Sequence, residues 1–278
     1  GKGTEAARRL KDDALALQLG AEVHGAVTDV FINADGFKKS ISAPGPGNYL
    51  TMAKAVASAI QIVGEDSVRQ HSFVHAHGSS TPANRVTESE LLDRIAATFG
   101  IHAWPVTAAK AYVGHSLASA SADQLVSALG SFKYQIIPGI KTIDAIADDV
   151  HQQHLRISTT NTRRDEQPLE VCFINSKGFG GNNASAVVLA PQVVDRMLEK
   201  RYGAQRFADY CALREHTRAA ASRYDQQAQT GQFNILYNFG NDQIDDQQLQ
   251  MTAQQIQVPG FRQPLVFSKD PRFSDMLD

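Results

Sequence analysis

The sequence predicts an α/β fold in which helices are layered on a sheet. Strand-like and helix-like segments alternate from residue 4 to residue 190, which is the pattern of a layered α/β domain. Late in this region, the strand-like segments 170–176 and 184–190 are separated by the glycine-rich loop 177–183, as in a hairpin. Polar and glycine-rich motifs also fall at the junctions between strands and helices, where ligands bind in α/β folds.

Helices are predicted where apolar residues recur three and four positions apart. This spacing predicts helices over 4–19, 49–63 and 88–99, and a fourth that follows His115 and runs to about residue 134. Gly20 is expected to end the first helix. Gly100 is expected to cap the third, since glycine readily adopts the left-handed backbone of a C-cap.

Short apolar runs between these helices are predicted to be strands. They cover residues 21–32, 71–77 and 104–107, in addition to the two strands of the hairpin. The segment 136–140 is expected to be an extended linker. Together these elements assign residues 1–191 to one α/β domain.

The remaining residues, 192–278, are predicted to form an α+β extension packed on that domain. Their composition differs, because glutamine becomes frequent from Gln226 to Gln263. A helix is predicted near 206–229, followed by a strand over 233–239.

Composition narrows the class of protein. The chain has 278 residues, 42% of them hydrophobic, and a formal net charge of -2, so it offers no strongly basic surface for nucleic acid. It contains no apolar run of membrane-spanning length and no signal-peptide pattern. The two cysteines, Cys172 and Cys211, provide no disulfide framework and are typical of a reducing compartment. We therefore expect a cytoplasmic protein that binds neither nucleic acid nor membrane.

Three polar motifs follow predicted strands. They are HGSSTP at 77–82, KAYVGH at 110–115 and GFGG at 178–181. Each motif alone is better explained as a structural feature, since short motifs often match by chance. Their occurrence in this order, each at a strand end, favours a common site.

The histidines of these motifs suggest the chemistry of that site. His115 is expected at the amino end of the following helix, where the helix dipole disfavours positive charge and keeps the imidazole neutral. Two neutral imidazoles, from His77 and His115, would stabilise a developing enolate or oxyanion. Lys110 would supply charge and orientation beside them. The small residues 118–122 are expected to let that helix pack closely under the site.

The order of these motifs resembles that of the β-ketoacyl synthases, the condensing enzymes of fatty-acid and polyketide synthesis. That family's pattern is His-Gly-Thr-x-Thr-Pro, then Lys-x-x-x-Gly-His, then Asn-Ser-x-Gly-Phe-Gly-Gly, and the last stands here as NSKGFGG at 175–181. The resemblance covers about residues 19–191 and implies the carboxyl-terminal half of a thiolase-like layered fold. The extension 192–278 looks like the tail of a long-form bacterial synthase.

The resemblance implies roles for the residues that match. His77 and His115 would bind the carbonyl of a malonyl thioester and assist its decarboxylation, and Lys110 would support them. The implied reaction is the decarboxylating Claisen condensation of an acyl thioester with malonyl carrier protein in fatty-acid biosynthesis. It needs no cofactor, because the substrates are carried on the phosphopantetheine of acyl carrier protein or on coenzyme A.

Further matches concern the substrate arm and its gate. Ser79 and Thr81 match hydroxyl residues that bind the pantetheine arm. Phe179 matches a gating phenylalanine whose backbone N–H contributes to the oxyanion hole. Lys177 stands where the family has an aromatic residue, and its ammonium group is expected either to reach water or to attract the pantetheine phosphate.

The chain departs from the family in lacking its nucleophilic cysteine, which belongs to an amino-terminal half not contained in this sequence. Cys172 lies in a predicted strand and Cys211 in the extension, so both are expected to be inert. The implied partners are therefore acyl carrier protein and the amino-terminal half of the same synthase, within a homodimer of the complete enzyme.

A second departure concerns metal. Some family members hold a structural cation through Asn, Glu and Ser side chains, and the matching positions carry His75, Gln124 and Ile174. The resemblance therefore implies no such ion in this chain, and no other metal site is predicted.

Three alternatives remain open at this point. The chain could be a non-catalytic partner subunit, like a chain-length factor, although intact His77, Lys110 and His115 argue against that. It could belong to a polyketide ketosynthase. It could instead bind a metal through His75 and His77, which share a strand face, but no convincing third ligand lies near them in sequence.

Overall fold

The computed structural model describes residues 13–36, 45–232, 240 and 243–267. The chain divides into two compact units, a larger one of residues 21–211 and a smaller one of residues 1–20 with 212–278. The domain boundary expected after residue 191 stays a prediction. Within the described part, no helix combines the length and the apolar character needed to span a membrane.

The larger unit is built on a six-stranded mixed sheet. Its strands and one small additional pair are β1 (Ala26–Ala34), β2 (Ser72–His75), β3 (Trp104–Thr107), β4 (Ile136–Ile137), β5 (Leu155–Ile157), β6 (Thr162–Arg163), β7 (Val171–Gly178) and β8 (Asn182–Leu189). The sheet order is β1-β8-β7-β2-β3-β5, and β4 pairs with β6 apart from it. Strands β7, β2, β3 and β5 are parallel, so their carboxyl ends share one edge of the sheet. Residues that follow those strands are therefore brought together.

Helices cover both faces of this sheet. The α-helices of the described residues are α1 (Asp13–Leu19), α2 (Pro46–Val63), α3 (Glu65–His71), α4 (Pro82–Phe99), α5 (Lys110–Val113), α6 (Ala120–Tyr134), α7 (Pro191–Tyr202) and α8 (Ala204–Gln229). Phe73 contacts Phe132 of α6, with ring centroids 5.9 Å apart. Phe173 lies on the opposite face, because its register partner in β2 is Val74. Helix α2 packs on β1 and β8, where the Ser185 hydroxyl donates a hydrogen bond to the Thr51 hydroxyl. These strands and helices confirm the predicted α/β class.

The helix that follows the first polar motif begins earlier than the sequence suggested. It was expected from residue 88, but α4 begins at Pro82. The Thr81 side chain caps it by accepting a hydrogen bond from the backbone N–H of Asn84 at 3.3 Å. Proline at the first helical position needs no hydrogen bond there, so Thr-Pro starts a helix that apolar spacing alone does not detect. Gly100 caps the other end in the left-handed conformation, as predicted.

Two other features of the helices differ from expectation. Helix α3 occupies residues that had no assignment, together with His71, which was expected in the following strand; its seven polar-rich residues carry no apolar stripe. The helix expected directly after His115 begins only at Ala120, behind a 3-10 turn at Leu117–Ser119. Leu117 has φ 59°, a left-handed backbone that interrupts helix formation at this point.

The predicted hairpin is confirmed as β7 and β8, which pair antiparallel from Val171 with Leu189 to Gly178 with Asn182. Gly180 and Gly181 turn the chain between them with φ 76° and 78°, a conformation that favours glycine. Strand β1 continues the sheet beyond β8 and lies at its edge among the described strands. Several apolar side chains of β1 are exposed, with Ile32 at 75%.

The smaller unit contains α1, the later part of α8 and a three-stranded antiparallel sheet. Its strands are β9 (Gln250–Met251), β10 (Gln255–Gln257) and β11 (Leu265–Val266), in the order β11-β10-β9. The helix predicted near 206–229 is confirmed, as is the described part of the helix expected over 4–19. The strand expected over 233–239 lies outside the described residues.

The burial of Phe173 gives a test of the core. Phe173→Ala should lower the free energy of unfolding by about 3–5 kcal/mol, because the ring is fully buried and packs edge-on against Trp104. Val30→Ala is the control, since Val30 is 56% exposed. Urea unfolding of both variants checks this expectation, and equal losses would contradict the described packing.

Candidate active site

The three polar motifs meet at the carboxyl edge of the sheet. His77 follows β2, and Lys110 and His115 follow β3. The rings of His77 and His115 lie edge to face with centroids 5.4 Å apart. The Lys110 ammonium donates a hydrogen bond to the His77 carbonyl oxygen at 2.6 Å. The structure thus joins the first two motifs as predicted, and the third reaches the same point through Lys177.

The tautomer of His77 follows from its hydrogen bond. The backbone N–H of Lys177 donates to His77 Nδ1 at 3.2 Å, so Nδ1 is the unprotonated acceptor and Nε2 carries the hydrogen. Among the described residues Nε2 is buried without a hydrogen-bond partner. His77 therefore presents an unused N–H donor at the site.

His115 is held in the same tautomer. The backbone N–H of Leu117 donates to His115 Nδ1 at 3.0 Å, which leaves the hydrogen on Nε2. The left-handed backbone of Leu117 turns its N–H toward the ring. Two imidazoles thus offer Nε2–H donors without carrying positive charge.

The environment keeps both histidines neutral. Burial is the main reason that the pKa of His77 falls to about 4; the carboxylate of Glu88 raises it and the Lys110 ammonium lowers it further. His115 is exposed, and the pKa of its ring is also lowered, first by the limited desolvation it has and then by Lys110. The expected neutrality therefore holds, but the expected cause was wrong. The next α-helix begins five residues after His115, so its dipole is not the reason.

A buried carboxylate, Glu88, organises the loop that carries His77. Its Oε1 accepts hydrogen bonds from the backbone N–H of His77 at 2.6 Å and from Asn175 Nδ2 at 2.7 Å. Its Oε2 accepts from the backbone N–H of Gly78 and from Asn84 Nδ2, both at 2.9 Å. Four donors to one carboxylate fix the backbone on both sides of His77.

Glu88 was missed as a site residue, although the sequence contains a signal for it. It lies three and four positions before Leu91 and Leu92, on the apolar stripe of α4. A carboxylate on a buried helix face must find donors, and such groups often belong to a site.

The network extends from Glu88 into the core. Asn175 Oδ1 accepts a hydrogen bond from Asn48 Nδ2 at 2.7 Å, which links β7 to the first turn of α2. Asn48 and Asn175 are both fully buried. Asn175 belongs to the third predicted motif, so that motif also supports the site from behind the sheet edge.

Lys110 is half-buried, and burial lowers the pKa of its ammonium group while Glu88 raises it. A solvated surface lysine is therefore excluded. Lys177 is buried as well, which argues against the first of its two alternatives, an ammonium group that reaches water. The small residues expected to pack under the site do not all do so, because Ala118, Ser119 and Ala122 are exposed.

The residues matched to the substrate arm lie near the same edge. The hydroxyl groups of Ser79 and Thr81 are 3.5 Å apart, and Thr81 also caps α4. Phe179 is 82% exposed at the tip of the hairpin, next to the left-handed Gly180. The roles of these three residues stay predictions.

A cavity of about 660 Å³ adjoins the site. Lys110, His115 and Ser79 are among its polar lining, and Ile143, Ile146 and Leu155 are among its apolar lining. Its position at the carboxyl ends of β3 and β5 is typical of ligand sites in α/β folds. The cavity combines apolar walls with a few convergent polar groups, as small-molecule sites do.

Cys172 does not have the setting of a nucleophile. Cys172 lies fully buried in β7, and burial raises the pKa of its thiol well above the usual range. Cys211 is half-buried in α8. A thiol needs a lowered pKa and access to react readily, so Cys172 does not fit that role.

The residues at the family's cation position do not fit a metal ion. The side-chain nitrogen Nε2 of Gln124 stands among three backbone carbonyl oxygens, at 3.2 Å from His75, 2.7 Å from Ala76 and 3.1 Å from Asn175. Ile174 supplies no side-chain oxygen. An amide N–H donor would repel a cation from this position.

The pH dependence of stability tests the buried histidine next to the site. Burial, followed by Lys110, lowers the pKa of His75 from 6.5 to about 3. The unfolded chain therefore binds a proton that the folded chain does not, so stability is complete above pH 6.5 and is lost as the pH falls toward 3.

In His75→Gln, the fall of stability between pH 6.5 and 4.5 should be shallower by about 1.4 kcal/mol per pH unit. Urea unfolding across this range measures the slope, with the exposed His24→Gln as the control. A slope equal to that of the unchanged protein would show that His75 is protonated in the folded chain.

Comparisons with known proteins agree with this geometry. A family model described as "Beta-ketoacyl synthase, C-terminal domain" matches residues 24–144. Over 269 residues the chain is 72% identical to the β-ketoacyl-[acyl-carrier-protein] synthase FabY of Pseudomonas aeruginosa, and this covers 97% of the chain and 42% of that protein. It is 28% identical to a 3-oxoacyl-[acyl-carrier-protein] synthase 2 of Vibrio cholerae, over 60% of the chain and 39% of the relative.

Solved structures show the same likeness. The crystal structure of the ketosynthase FabY from P. aeruginosa has a TM-score of 0.84, and the match covers 96% of this chain and 42% of that one. A ketosynthase domain of Streptomyces albus, at 19% identity and a TM-score of 0.53, covers 64% of this chain and 32% of its own, and shows likeness of fold alone. Taken with the joined motifs, these matches show that the chain carries the carboxyl-terminal domain of a β-ketoacyl synthase.

Proposed function

We propose that this chain supplies the malonyl side of a β-ketoacyl-acyl carrier protein synthase that acts in fatty-acid biosynthesis. The observation that carries the proposal is the pair of neutral imidazoles, His77 and His115. In each ring a backbone N–H donates to Nδ1, which leaves Nε2–H available as a hydrogen-bond donor. The chain spans 42% of the length of its 72%-identical relative, so the complete activity involves more than these residues.

The proposed reaction develops negative charge on an oxygen atom close to the two Nε2–H donors. In malonyl decarboxylation the bond to the carboxylate breaks, carbon dioxide leaves, and the electron pair remains as a thioester enolate. The enolate oxygen would accept hydrogen bonds from His77 Nε2–H and His115 Nε2–H. His77 is buried and His115 is exposed beside it, and donors held in place before the reaction stabilise such an oxyanion more than freely reorienting water does. The enolate carbon then attacks the acyl thioester carbonyl, and the thiolate departs.

The backbone bonds to Nδ1 explain why neutral histidines suit this step. Protonation of either ring would set an N–H against a backbone N–H, at Lys177 or at Leu117, and would add charge beside Lys110. The rings thus remain donors across the physiological pH range. Lys110 contributes by holding the His77 carbonyl oxygen, and its charge lies close enough to attract the malonyl carboxylate into the cavity.

The nucleophile is proposed to come from a segment outside this sequence. Cys172 is buried with a raised thiol pKa, and no other cysteine besides Cys211 is present. We propose the further partners on the same basis: an amino-terminal half bearing the cysteine, acyl carrier protein as the donor of malonyl groups, and a homodimer of the complete enzyme. Ser79 and Thr81 would bind the pantetheine arm, and Phe179 would gate the acyl site.

The histidines can be tested in a chimaera in which this chain replaces the matching segment of the P. aeruginosa synthase. His77→Ala and His115→Ala should each slow malonyl decarboxylation by about 10²- to 10³-fold, the usual loss for an oxyanion-hole donor. Acyl transfer to the cysteine should change much less. Release of labelled carbon dioxide and formation of the acyl-enzyme measure the two steps separately.

Two further variants sharpen this test. His115→Gln retains a side-chain N–H donor and should lose less activity than His115→Ala. His102→Ala changes an exposed histidine outside the site and should behave like the parent. Equal losses in decarboxylation and acyl transfer would mean that the histidines act on structure and not on malonate.

The location of the nucleophile has its own test. Acyl-CoA incubated with the chain by itself should leave no thioester on the protein, because burial of Cys172 keeps its thiol protonated and inaccessible. Intact mass spectrometry checks the result, with the complete P. aeruginosa synthase as the positive control. An acyl adduct on Cys172 or Cys211 would refute this assignment.

A further inference from the structure

Gln124 lies in α6 with no exposed surface, and one of its atoms meets three backbone carbonyls. Its Nε2 contacts the carbonyl oxygens of His75 and Ala76, at the end of β2, and of Asn175 in the adjacent parallel strand β7. Carbonyl oxygens that converge on one point repel each other, and a buried carbonyl without a donor is costly. A cation or a hydrogen-bond donor must therefore lie between these carbonyl oxygens.

We propose that the Gln124 amide takes the place of a bound cation at this point and that it is a positioning residue for His77. The distances of 2.7–3.2 Å are those of N–H···O hydrogen bonds. An amide nitrogen brings two N–H groups with no net charge, and with one of them shared between two carbonyls it can bond all three oxygens without adding a cation beside Lys110. The positioning role rests on the proposed function, whereas the cation replacement does not.

The link to His77 runs through the peptide units on either side of it. In the peptide between Ala76 and His77, Gln124 holds the carbonyl oxygen and Glu88 holds the N–H. In the next peptide, between His77 and Gly78, Lys110 holds the carbonyl oxygen and Glu88 again holds the N–H. Each of these two peptide planes is therefore fixed by one hydrogen bond at its carbonyl oxygen and one at its N–H.

Fixing these two planes fixes the direction in which the His77 side chain leaves the backbone. Three of the four contacts come from charged groups, and Gln124 supplies the fourth. Without Gln124, the peptide between Ala76 and His77 keeps only the hydrogen bond from its N–H to Glu88, and its plane can tilt. A small displacement of a reacting group is enough to reduce the rate strongly.

Ion dependence of stability tests the cation replacement in the chain by itself. The melting temperature of the unchanged chain should be the same in sodium, potassium and calcium chloride as in tetramethylammonium chloride of equal ionic strength. A saturable rise with one of the three metal ions would overturn the proposal, because it would show that the carbonyl cluster binds that ion.

Gln124→Glu should convert the cluster into an ion site. A carboxylate facing three carbonyl oxygens is a buried unpaired charge, so in tetramethylammonium chloride the melting temperature should fall by about 10 °C. The same four oxygen groups suit a hard cation, so calcium should restore much of the loss. The matched control is Gln152→Glu, an exposed position that should show neither effect.

Gln124→Met removes the donors and keeps the size of the side chain. It should lower the melting temperature, and no ion should restore it. A Gln124→Met chain as stable as the parent would overturn the proposal. Failure of Gln124→Glu or Gln124→Met to fold counts as a loss of stability, and the ion titration of the unchanged chain still decides the ion question.

The positioning role is measured in the chimaera with Gln124→Asn, which keeps an amide but is one methylene shorter. Its kcat for malonyl decarboxylation should fall about tenfold, with KM within about twofold of the parent value. Unchanged kcat, or a change in KM alone, would overturn the positioning role. An unaltered chimaera without decarboxylase activity would instead refute the proposed function and leave the stability results to decide the replacement of the cation.

Discussion

The buried carboxylate of Glu88 is the interaction on which the rest of the site depends. A carboxylate removed from water is costly by several kcal/mol unless donors surround it. Here four donors do so, two from the backbone on either side of His77 and two from asparagine side chains. Because those donors belong to the loop after β2, to α4 and to β7, the cost of leaving any of them unpaired ties the three elements together. The position of His77 is thus set by an electrostatic requirement and not by packing alone.

The same carboxylate balances the electrostatics of the site. Lys110 contributes one positive charge and Glu88 one negative charge near two imidazoles that remain neutral. Lys110 depresses protonation of both rings, and Glu88 limits that effect at His77. The result is a pair of hydrogen-bond donors whose charge does not change with small changes of pH.

The sequence predicted the α/β class, the hairpin and the meeting of the histidine motifs, because each depends on local patterns. Apolar periodicity located α2 and the later part of α4, and the glycines located the turn of the hairpin. The start of α4 was missed, because it depends on a cap and a proline and not on an apolar stripe. The tautomers of the histidines could not be predicted, since they depend on N–H groups of Lys177 and Leu117 that only the fold brings near.

Partners that are distant in sequence were equally beyond prediction. Asn48 and Asn175 are 127 positions apart, and nothing in either local sequence indicates the other. The sequence could not decide between the two alternatives for Lys177 for a related reason, since a lysine in a glycine-rich loop is usually solvated and only the fold buries this one. The sequence does contain one cue to this hydrogen-bond network, because the carboxylate of Glu88 lies on the apolar stripe of its helix.

The exposed face of β1 has a practical consequence for anyone who handles this segment by itself. Among the described strands β1 ends the sheet, and it displays β-branched side chains such as Val30 and Ile32 to solvent. An edge strand with such side chains is a template on which another copy can add a strand. Purified segment will therefore tend to self-associate as its concentration rises, and a charged residue on that strand would be the natural way to keep it dispersed.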